Sequence, residues 1–346
     1  MKFLRALFGT PANALLSVAM IALFSITVPR FLRWAFLDAT WDAVSRRGCA
    51  PDGACWAFVK ARFPLFIYGR YPVAEHWRVD LCFLLLAIAC LGSLFAGRQR
   101  GVFLAALLIG VPVIGGVLLA GGVFGLTEVE TADWGGLMLN VVLSFITIAL
   151  ALPLGVLLAF GRRSSLPVVS WGATAFIEFW RGVPLLAVLF MGLIMLPMFL
   201  PDGMTVPNLI RAVVVLTLFE SAYLAETIRG GLQGVPTGQA EAAMALGMHH
   251  TQAQVLIVLP QALRMSIPGI INIVVDLFKD TTLVSIVGLF DLMGVITQSL
   301  KDPSWVGLAS EGYTFAAAAF FVCCLLFSLA GGFLERQFGN NGQRKP

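Results

Sequence analysis

Long, unbroken apolar runs are the feature that most limits what this chain can fold into. A helix needs about 20 consecutive apolar residues to cross a bilayer, and several segments of the 346-residue sequence reach that length. The runs are too long for barrel strands and do not alternate between apolar and polar residues. Only 12% of the residues are charged, against about a quarter in a soluble domain. The sequence therefore predicts an all-α integral membrane protein.

The apolar runs predict about eight transmembrane helices. They lie near residues 12–29, 81–97, 102–124, 136–160, 174–200, 207–228, 264–298 and 313–334, and the seventh is interrupted. The N-terminal run has some features of a signal peptide, but its apolar part starts late and no clear small-residue cleavage site follows it. These features favour an uncleaved first span.

The placement of Lys and Arg predicts the orientation of the chain. Short cytoplasmic loops are enriched in these residues. With the N-terminus inside, the basic segments 97–100, 161–165 and 229–264 fall inside, whereas 127–134 and 201–208 fall outside and carry no basic residue. One loop disagrees, because residues 30–79 would be external and carry eight Lys or Arg and four acidic residues. The rule weakens in a loop of that length, so we expect the N-terminus inside.

The cysteines divide into two groups. Cys49 and Cys55 fall in the predicted external loop, where an oxidising compartment favours a disulfide between them, although two free thiols are the alternative. The remaining cysteines, Cys82, Cys90, Cys323 and Cys324, lie in apolar runs and are expected to be small core residues. None of the six has metal-ligand spacing.

The polar residues divide the chain unequally. Residues 1–134 hold three predicted spans and the loop 30–79, residues 135–335 hold five spans and nearly all the intramembrane polar residues, and 336–346 form a tail. The sequence contains no GK dipeptide and hence no Walker A loop. It also lacks HExxH and GxSxG motifs, so it does not resemble an enzyme, and no nucleic-acid partner is expected.

One stretch of the C-terminal half, EAAMALGMHHTQAQVLIVLP, is unusually polar. Thr237 is expected to cap a helix that Gly247 ends in the left-handed conformation. Thr251 and Gln254 form a capping-box pattern that opens a second helix, which Pro260 stops or kinks. Isolated helices this short are marginal, so the hairpin needs something to pack on. It is either an amphipathic connector or a docking element on the cytoplasmic side.

The spacing within this hairpin resembles the EAA loop of ABC importer permeases. The matching residues are Glu241, Ala242 and Ala243, then Gly247 after three residues, then Ile257, Leu259 and Pro260 after nine more. In that family the loop inserts into a groove of the ATP-hydrolysing subunit. The resemblance therefore implies that 229–263 is an ATPase-coupling loop within a type I core of five helices, preceded here by three extra helices.

Three further stretches resemble the polar amino-acid permeases: IEFWRGVPLLAVLF (177–190), FESAYLAETIRGGLQGVPTGQAEAAMALGM (219–248) and KDTTLVSIVGLFDLMG (279–294). The N-terminal spans, with CAPDGACWAFVKARFPLFIYGRYP, resemble the M-type permease of the bacterial general L-amino-acid transporter. The resemblance implies a multi-pass subunit of the bacterial inner membrane. Its partners would be a second, different permease subunit, two copies of an ATPase and a periplasmic amino-acid-binding protein. The ATPase would bind ATP and Mg, so no cofactor is expected in this chain.

Charges inside the spans are candidates for function, because a charge in the hydrocarbon is costly. Asp276, Lys279 and Asp280 share one helix face, so Lys279 can pair with either carboxylate. Thr281 adds a hydroxyl. Such a set offers an acceptor for the ammonium and a donor for the carboxylate of an amino acid. The alternative is an internal ion pair that only fixes helix packing.

Two more charged residues lie on a preceding span. Glu220 falls near mid-span, where it would face a substrate pathway or bond to a neighbouring helix. Arg211 falls near the external end, where it would line the pathway or extend its head group to the interface. Two pairs of acidic and basic residues, each three positions apart, are expected to be structural: Glu178 with Arg181, and Glu226 with Arg229.

The main hypothesis is a permease subunit of an ATP-driven importer of polar L-amino acids. The alternative is an ion-coupled secondary carrier that works without an ATPase and uses Lys279, Asp280 and Glu220 as an ion relay. Many such carriers contain internal repeats, and this sequence shows none. A membrane scaffold without transport activity is the third and weakest hypothesis.

Overall fold

The structure is a computed structural model that describes residues 7–201 and 203–339. These residues form helices joined by turns and loops, and among them the only β pairings are three isolated bridges. The helices are α1 (Pro11–Leu32), α2 (Trp56–Tyr68), α3 (His76–Phe95), α4 (Gly101–Ala120), α5 (Gly136–Arg162), α6 (Pro167–Gly182), α7 (Leu185–Phe199), α8 (Asn208–Gly234), α9 (Thr237–Ala245), α10 (Leu259–Asp280), α11 (Leu292–Ser299) and α12 (Ala309–Gly339). The predicted all-α class is confirmed.

Among the described residues, six helices are long and apolar enough to cross a membrane, or seven if the bent pair α6 and α7 is one span. The six are α1, α3, α4, α5, α8 and α12. The remaining predicted span corresponds to α10, whose charged residues, such as Arg264 and Asp276, lower its apolar content. The expected number of about eight is therefore roughly met.

The predicted span at 174–200 is not one continuous helix. α6 and α7 meet at an angle of 101°, and between them Val183 is extended, with φ −103° and ψ 136°. Pro184 explains the break, because proline has no N–H to donate and forces the residue before it out of the helical region. The prediction of an unbroken span was wrong at this point.

One compact unit contains residues 64–295 and 316–339 of the described chain. α8 is its central helix, and 67% of the residues in its most apolar stretch are buried. A Cβ added at Gly155 of α5 would lie 2.7 Å from Leu224 Cβ of α8, so only glycine allows this crossing. On the other side, the Ser266 hydroxyl of α10 donates to the Thr227 carbonyl of α8 at 3.1 Å. α8 therefore packs closely between α5 and α10.

The predicted external ends of α3 and α4 are joined in this unit by a buried arginine. Arg78 is 1% exposed; its guanidinium lies 2.8 Å from Glu75 and donates to the Thr127 carbonyl at 2.7 Å. The Tyr71 hydroxyl donates to the Leu119 carbonyl at 2.9 Å. These bonds hold the turn before α3 against the segment after α4.

The second compact unit contains residues 7–63 and 296–315 of the described chain. Cys49 and Cys55 form a disulfide, with Cα atoms 5.6 Å apart, and the Cys55 N–H donates to the buried Glu311 carboxylate at 3.0 Å. Arg62 pairs with Asp302. The pKa of Asp302 is held below its usual value, first by a hydrogen bond from the Ser304 N–H and then by Arg62. The proposed division at 134/135 concerns an added segment and a core, and it stays a prediction.

Candidate functional site: a coupling hairpin and intramembrane charges

The polar stretch forms the expected helix, glycine turn and second helix. α9 ends at Ala245, and Gly247 adopts φ +89°. The Met248 N–H donates to the Ala243 carbonyl at 3.2 Å, and the Gly247 N–H donates to the Met244 carbonyl at 2.9 Å. These two bonds define a Schellman motif, which satisfies the last carbonyls of a helix. The role predicted for Gly247 as the helix stop is confirmed.

The predicted caps of this hairpin were wrong. Thr237 is the first helical residue, and its side chain makes no capping bond. The capping box is formed by His249 and Gln252, whose side chain accepts from the His249 N–H at 3.0 Å, and not by Thr251 and Gln254. Because the Schellman turn is short, the second helix begins after His249, two residues before the expected cap at Thr251.

Pro260 was expected to stop or kink the second helix of the hairpin, but it does neither. A π-helical turn, Ala253–Val258, runs directly into α10, and Pro260 occupies the first turn of that helix. Proline lacks the N–H that a residue in an unbroken α-helix donates to the preceding turn, and here the preceding turn is π-helical. The Gln261 side chain donates to the Ile257 carbonyl at 2.8 Å. The second arm of the hairpin is therefore continuous with α10.

The residues of the predicted coupling loop divide into supporting and exposed positions. Ala243 is buried, as are Ala253 and Val258 on the other arm, whereas Glu241 and Ala242 are exposed. Four large apolar side chains are also exposed: Leu246 (87%), Leu256 (62%), Val255 (46%) and Met244 (40%). An apolar patch with polar surroundings is typical of a protein interaction site. The hairpin thus exposes apolar side chains on the predicted cytoplasmic side, and its role as a docking element stays a prediction.

An ion-pair cluster lies where α8 leads into the hairpin. Glu226 lies 2.6 Å from Arg162 and 2.8 Å from Arg229, and Arg162 also lies 2.9 Å from Glu178. The predicted Glu226–Arg229 pair is confirmed. The predicted Glu178–Arg181 pair was wrong, because Arg162 at the end of α5 reaches both carboxylates with its several N–H donors, while Arg181 lies 3.9 Å from Glu226. The cluster links α5, α6 and α8.

All the predicted intramembrane charges except Arg211 form one group on α8 and α10. Lys279 pairs with Asp276 at 2.8 Å and not with Asp280, and the two paired side chains are 53% and 66% exposed. Glu220 is only 4% exposed, and Asp280 and Asp276 act on it electrostatically. Among the described residues no cation forms an ion pair with Glu220. Lys279 therefore pairs with only one of the three carboxyl groups.

Sequence reasoning missed a buried polar network at one end of α5. Asn140 donates to the Thr281 hydroxyl at 2.8 Å and to the Asp291 carboxylate at 3.0 Å, and its own oxygen accepts from the Leu292 N–H at 3.0 Å. The Thr281 hydroxyl donates to the Phe278 carbonyl at 2.7 Å. The Thr281 side chain is therefore engaged within the protein. A single amide in the apolar run GLMLNVVLSF was the available signal.

Arg211 lies apart from the other predicted residues. It donates to the Asn208 side chain and to the Leu193 carbonyl, so it ties the start of α8 to α7. Nine residues separate it from Glu220, which is about 13 Å along a helix. Its predicted place on a substrate route stays a prediction.

A multi-pass helical protein with an exposed hairpin outside its spans and charges within them belongs to the class of membrane transport subunits. The chain is a member of the family described as binding-protein-dependent transport system inner membrane components, whose model matches residues 151–340. Family membership confirms the predicted inner-membrane location and the prediction of a transporter subunit in place of an enzyme. It also implies an ATPase, a second permease and a substrate-binding protein as partners.

Individual relatives cover almost the whole chain. The inner membrane amino-acid ABC transporter permease protein YhdY of Escherichia coli strain K12 is 45% identical over 97% of this chain and 92% of its own length. The glutamate/glutamine/aspartate/asparagine transport system permease protein BztC of Rhodobacter capsulatus is 35% identical over 96% and 92%. A crystal structure of an amino acid ABC transporter with histidines matches 58% of this chain and 92% of its own, with 32% identity and a TM-score of 0.52. These comparisons give the ion-coupled carrier no support.

Proposed function

We propose that this chain is a permease subunit through which an ABC importer moves polar L-amino acids across the bacterial inner membrane. The observation that carries the proposal is the hairpin: the EAA spacing is folded around a Schellman turn at Gly247, with exposed apolar side chains beside it. The names of the relatives supply the substrate class, since YhdY and BztC are described as permeases for amino acids.

The complete transporter would contain two copies of an ATPase, which bind ATP and Mg, and a second permease subunit that differs from this chain. The exposed Asp276–Lys279 pair on α10 supports the second permease. A charge at the centre of a bilayer costs about 2.5–3.5 kcal/mol on insertion scales. That cost is avoided if the face of α10 with this pair meets the other permease and not lipid.

Closure of the ATPases would push on the hairpin formed by residues 237–260. The second arm of this hairpin is continuous with α10, so its displacement is transmitted directly to the helix that carries Asp276, Lys279 and Asp280. The Glu226 cluster holds the start of the loop on α5 and α6. Motion therefore reaches the spans mainly through α10.

The carboxyl groups and the lysine on α8 and α10 are suited to an amino acid. Glu220, Asp276 and Asp280 would accept from its ammonium, and Lys279 would donate to its carboxylate. Thr281 and Arg211 have protein partners already, so on a substrate route they would contribute only after those bonds break. A periplasmic binding protein would deliver the amino acid to the external mouth.

Substitution of the turn tests this function. Gly247→Pro removes the N–H that donates to Met244, and Glu241→Lys reverses an exposed charge. We expect both variants to insert into the membrane, to lose ATP-dependent uptake of amino acids and to co-purify poorly with the ATPase. The matched control is Gly238→Ala, at a helical position with open space around the added Cβ. Normal ATPase recovery with Gly247→Pro would refute the coupling role.

A further inference from the structure

The predicted external loop, residues 30–79, contains a small lobe, residues 41–49, which we call the basic lobe. Two hydrogen bonds and a disulfide hold the two ends of this lobe together. The Thr40 N–H donates to the Ala54 carbonyl at 2.8 Å, and the Ala50 N–H donates to the Thr40 hydroxyl at 3.0 Å. The disulfide joins Cys49 to Cys55. A loop held in this way loses little conformational entropy when it binds a partner. The lobe is therefore a preorganised surface.

Several charges of the second compact unit are paired, but two arginines of the basic lobe are not. The ion pairs are Arg33 with Asp38, Lys60 with Asp42, and Arg62 with Asp302, and Glu311 accepts from the Cys55 N–H. Arg46 and Arg47 have no ion-pair partner among the described residues. The same holds for Arg30, Lys301 and the carboxylate of Asp52. The unit therefore keeps a positive excess, two charges of which lie side by side on the lobe.

The lobe also exposes large apolar side chains. Val44 is 96% exposed and Trp41 is 54% exposed. The Trp41 ring lies 6.2 Å from that of Trp56, which limits its motion. Arg47 is exposed and Arg46 is half-buried. Tryptophan and arginine are enriched at the energetic centres of protein interfaces, so this composition is typical of a site that binds a protein with acidic residues.

Two of the arginines in the predicted external loop lie on the basic lobe, and neither forms an ion pair with a described carboxylate of its own unit. The family depends on a binding protein, which would reach the permease from this side. We infer that the basic lobe is a docking surface for an acidic rim of that binding protein, an inference that rests on the proposed function.

Anionic lipid headgroups are the other source of negative charge near this lobe. They attract exposed arginines irrespective of the shape of the loop that carries them. The basic lobe is closed by a disulfide, its tryptophan ring is held in place, and its exposed valine lies away from the two ends of the lobe. A surface with a fixed shape of this kind suits a folded protein partner. The observations therefore favour a protein.

The experiment uses the complete transporter in lipid nanodiscs. The probe is the purified, amino-acid-loaded binding protein that serves this transporter, and ATP hydrolysis is measured against its concentration. In Arg46→Glu/Arg47→Glu we expect the half-saturating concentration to rise at least about tenfold, because like charges then face each other across the interface. The matched control, Arg46→Lys/Arg47→Lys, keeps both charges and should stay within about threefold. Added salt should weaken the wild type more than the Glu variant.

The outcomes separate the two proposals. If no amino-acid-loaded binding protein stimulates the wild-type complex, the proposed function fails and the docking inference fails with it. If stimulation is normal and the Glu variant has an unchanged half-saturating concentration, only the docking inference is overturned. Loss of binding to phosphatidylglycerol vesicles with unchanged stimulation would assign the lobe to lipid and would also overturn it. An unchanged maximal ATPase rate at saturating binding protein shows that the variant is folded.

A photo-crosslinker in place of Val44 gives an independent measurement on intact cells. The side chain is almost fully exposed, so this change leaves the fold intact. We expect a crosslink to the binding protein that disappears in Arg46→Glu/Arg47→Glu and persists in the Lys control. A crosslink between two copies of this chain in its place would contradict the inference.

Discussion

Asn140 is expected to be one of the most costly polar positions in the protein to replace. Asn140→Ala removes two donated bonds, one of them to the buried Asp291 carboxylate, and leaves the Leu292 N–H without an acceptor. A hydrogen bond to a carboxylate contributes about 1.5–3 kcal/mol, and a buried, unsatisfied N–H costs about 1–3 kcal/mol. Together these terms predict a loss of roughly 3–5 kcal/mol in the free energy of unfolding.

The matched control lies two turns further along the same helix. Thr147 is also fully buried in α5, but its hydroxyl has no hydrogen-bond partner among the described residues. Thr147→Val removes an unsatisfied polar atom at nearly constant volume, so it should leave the stability unchanged or raise it. The two variants therefore test the network itself and not burial on α5.

The assay is the thermal unfolding of each purified variant in the same detergent, followed by intrinsic fluorescence. A loss of 1 kcal/mol lowers the melting temperature by about 2–4 °C in a domain of 150–250 residues. Asn140→Ala should thus melt on the order of 10 °C below the wild type. If it melts no lower than Thr147→Val, the network does not stabilise the fold and the reasoning is refuted.

Two further substitutions test the packing around α8 in the same assay. Glu226→Gln removes the shared partner of Arg162 and Arg229 and should lower the free energy of unfolding by about 1–3 kcal/mol. The control Glu178→Gln changes a side chain that is 55% exposed and should lower it by less than about 1 kcal/mol. Equal losses would contradict a central role for Glu226. Gly155→Val places atoms against Leu224 and should lower the free energy of unfolding by at least about 1–3 kcal/mol. The control Gly172→Ala lies in open space on α6 and should be neutral or stabilising. Similar melting temperatures for the two variants would refute the close crossing of α5 and α8.

The sequence predicted the spans well where the apolar runs are uninterrupted. The run 136–160 became α5, Gly136–Arg162, with nearly the same limits. The prediction failed at 174–200, because the apolar run continues through Pro184 whereas the α-helix cannot continue through it. The averaged hydropathy of a run gives no information on a single residue that lacks an N–H. The proline itself was visible in the sequence and indicates the break once it is given more weight than the run.

The same contrast holds for the site. The coupling hairpin could be predicted, because its turn depends on bonds between residues close in sequence, such as Met248 to Ala243. The Asn140–Asp291 bond could not, since it joins residues 151 positions apart. Local spacing also misassigned Glu178, whose partner comes from another helix. Tertiary contacts decide such pairs, and single-sequence patterns do not contain them.

The turn at Gly247 has a stereochemical consequence. An added Cβ would meet no atom within 4 Å, so the position has room for a side chain, but φ is +89°. The turn therefore selects by handedness and not by size. Asparagine should be the least disruptive natural replacement, because it tolerates the left-handed region best. D-alanine, introduced by semisynthesis, should be accepted where L-alanine is strained, so the geometry of the hairpin depends on the chirality of a single α-carbon.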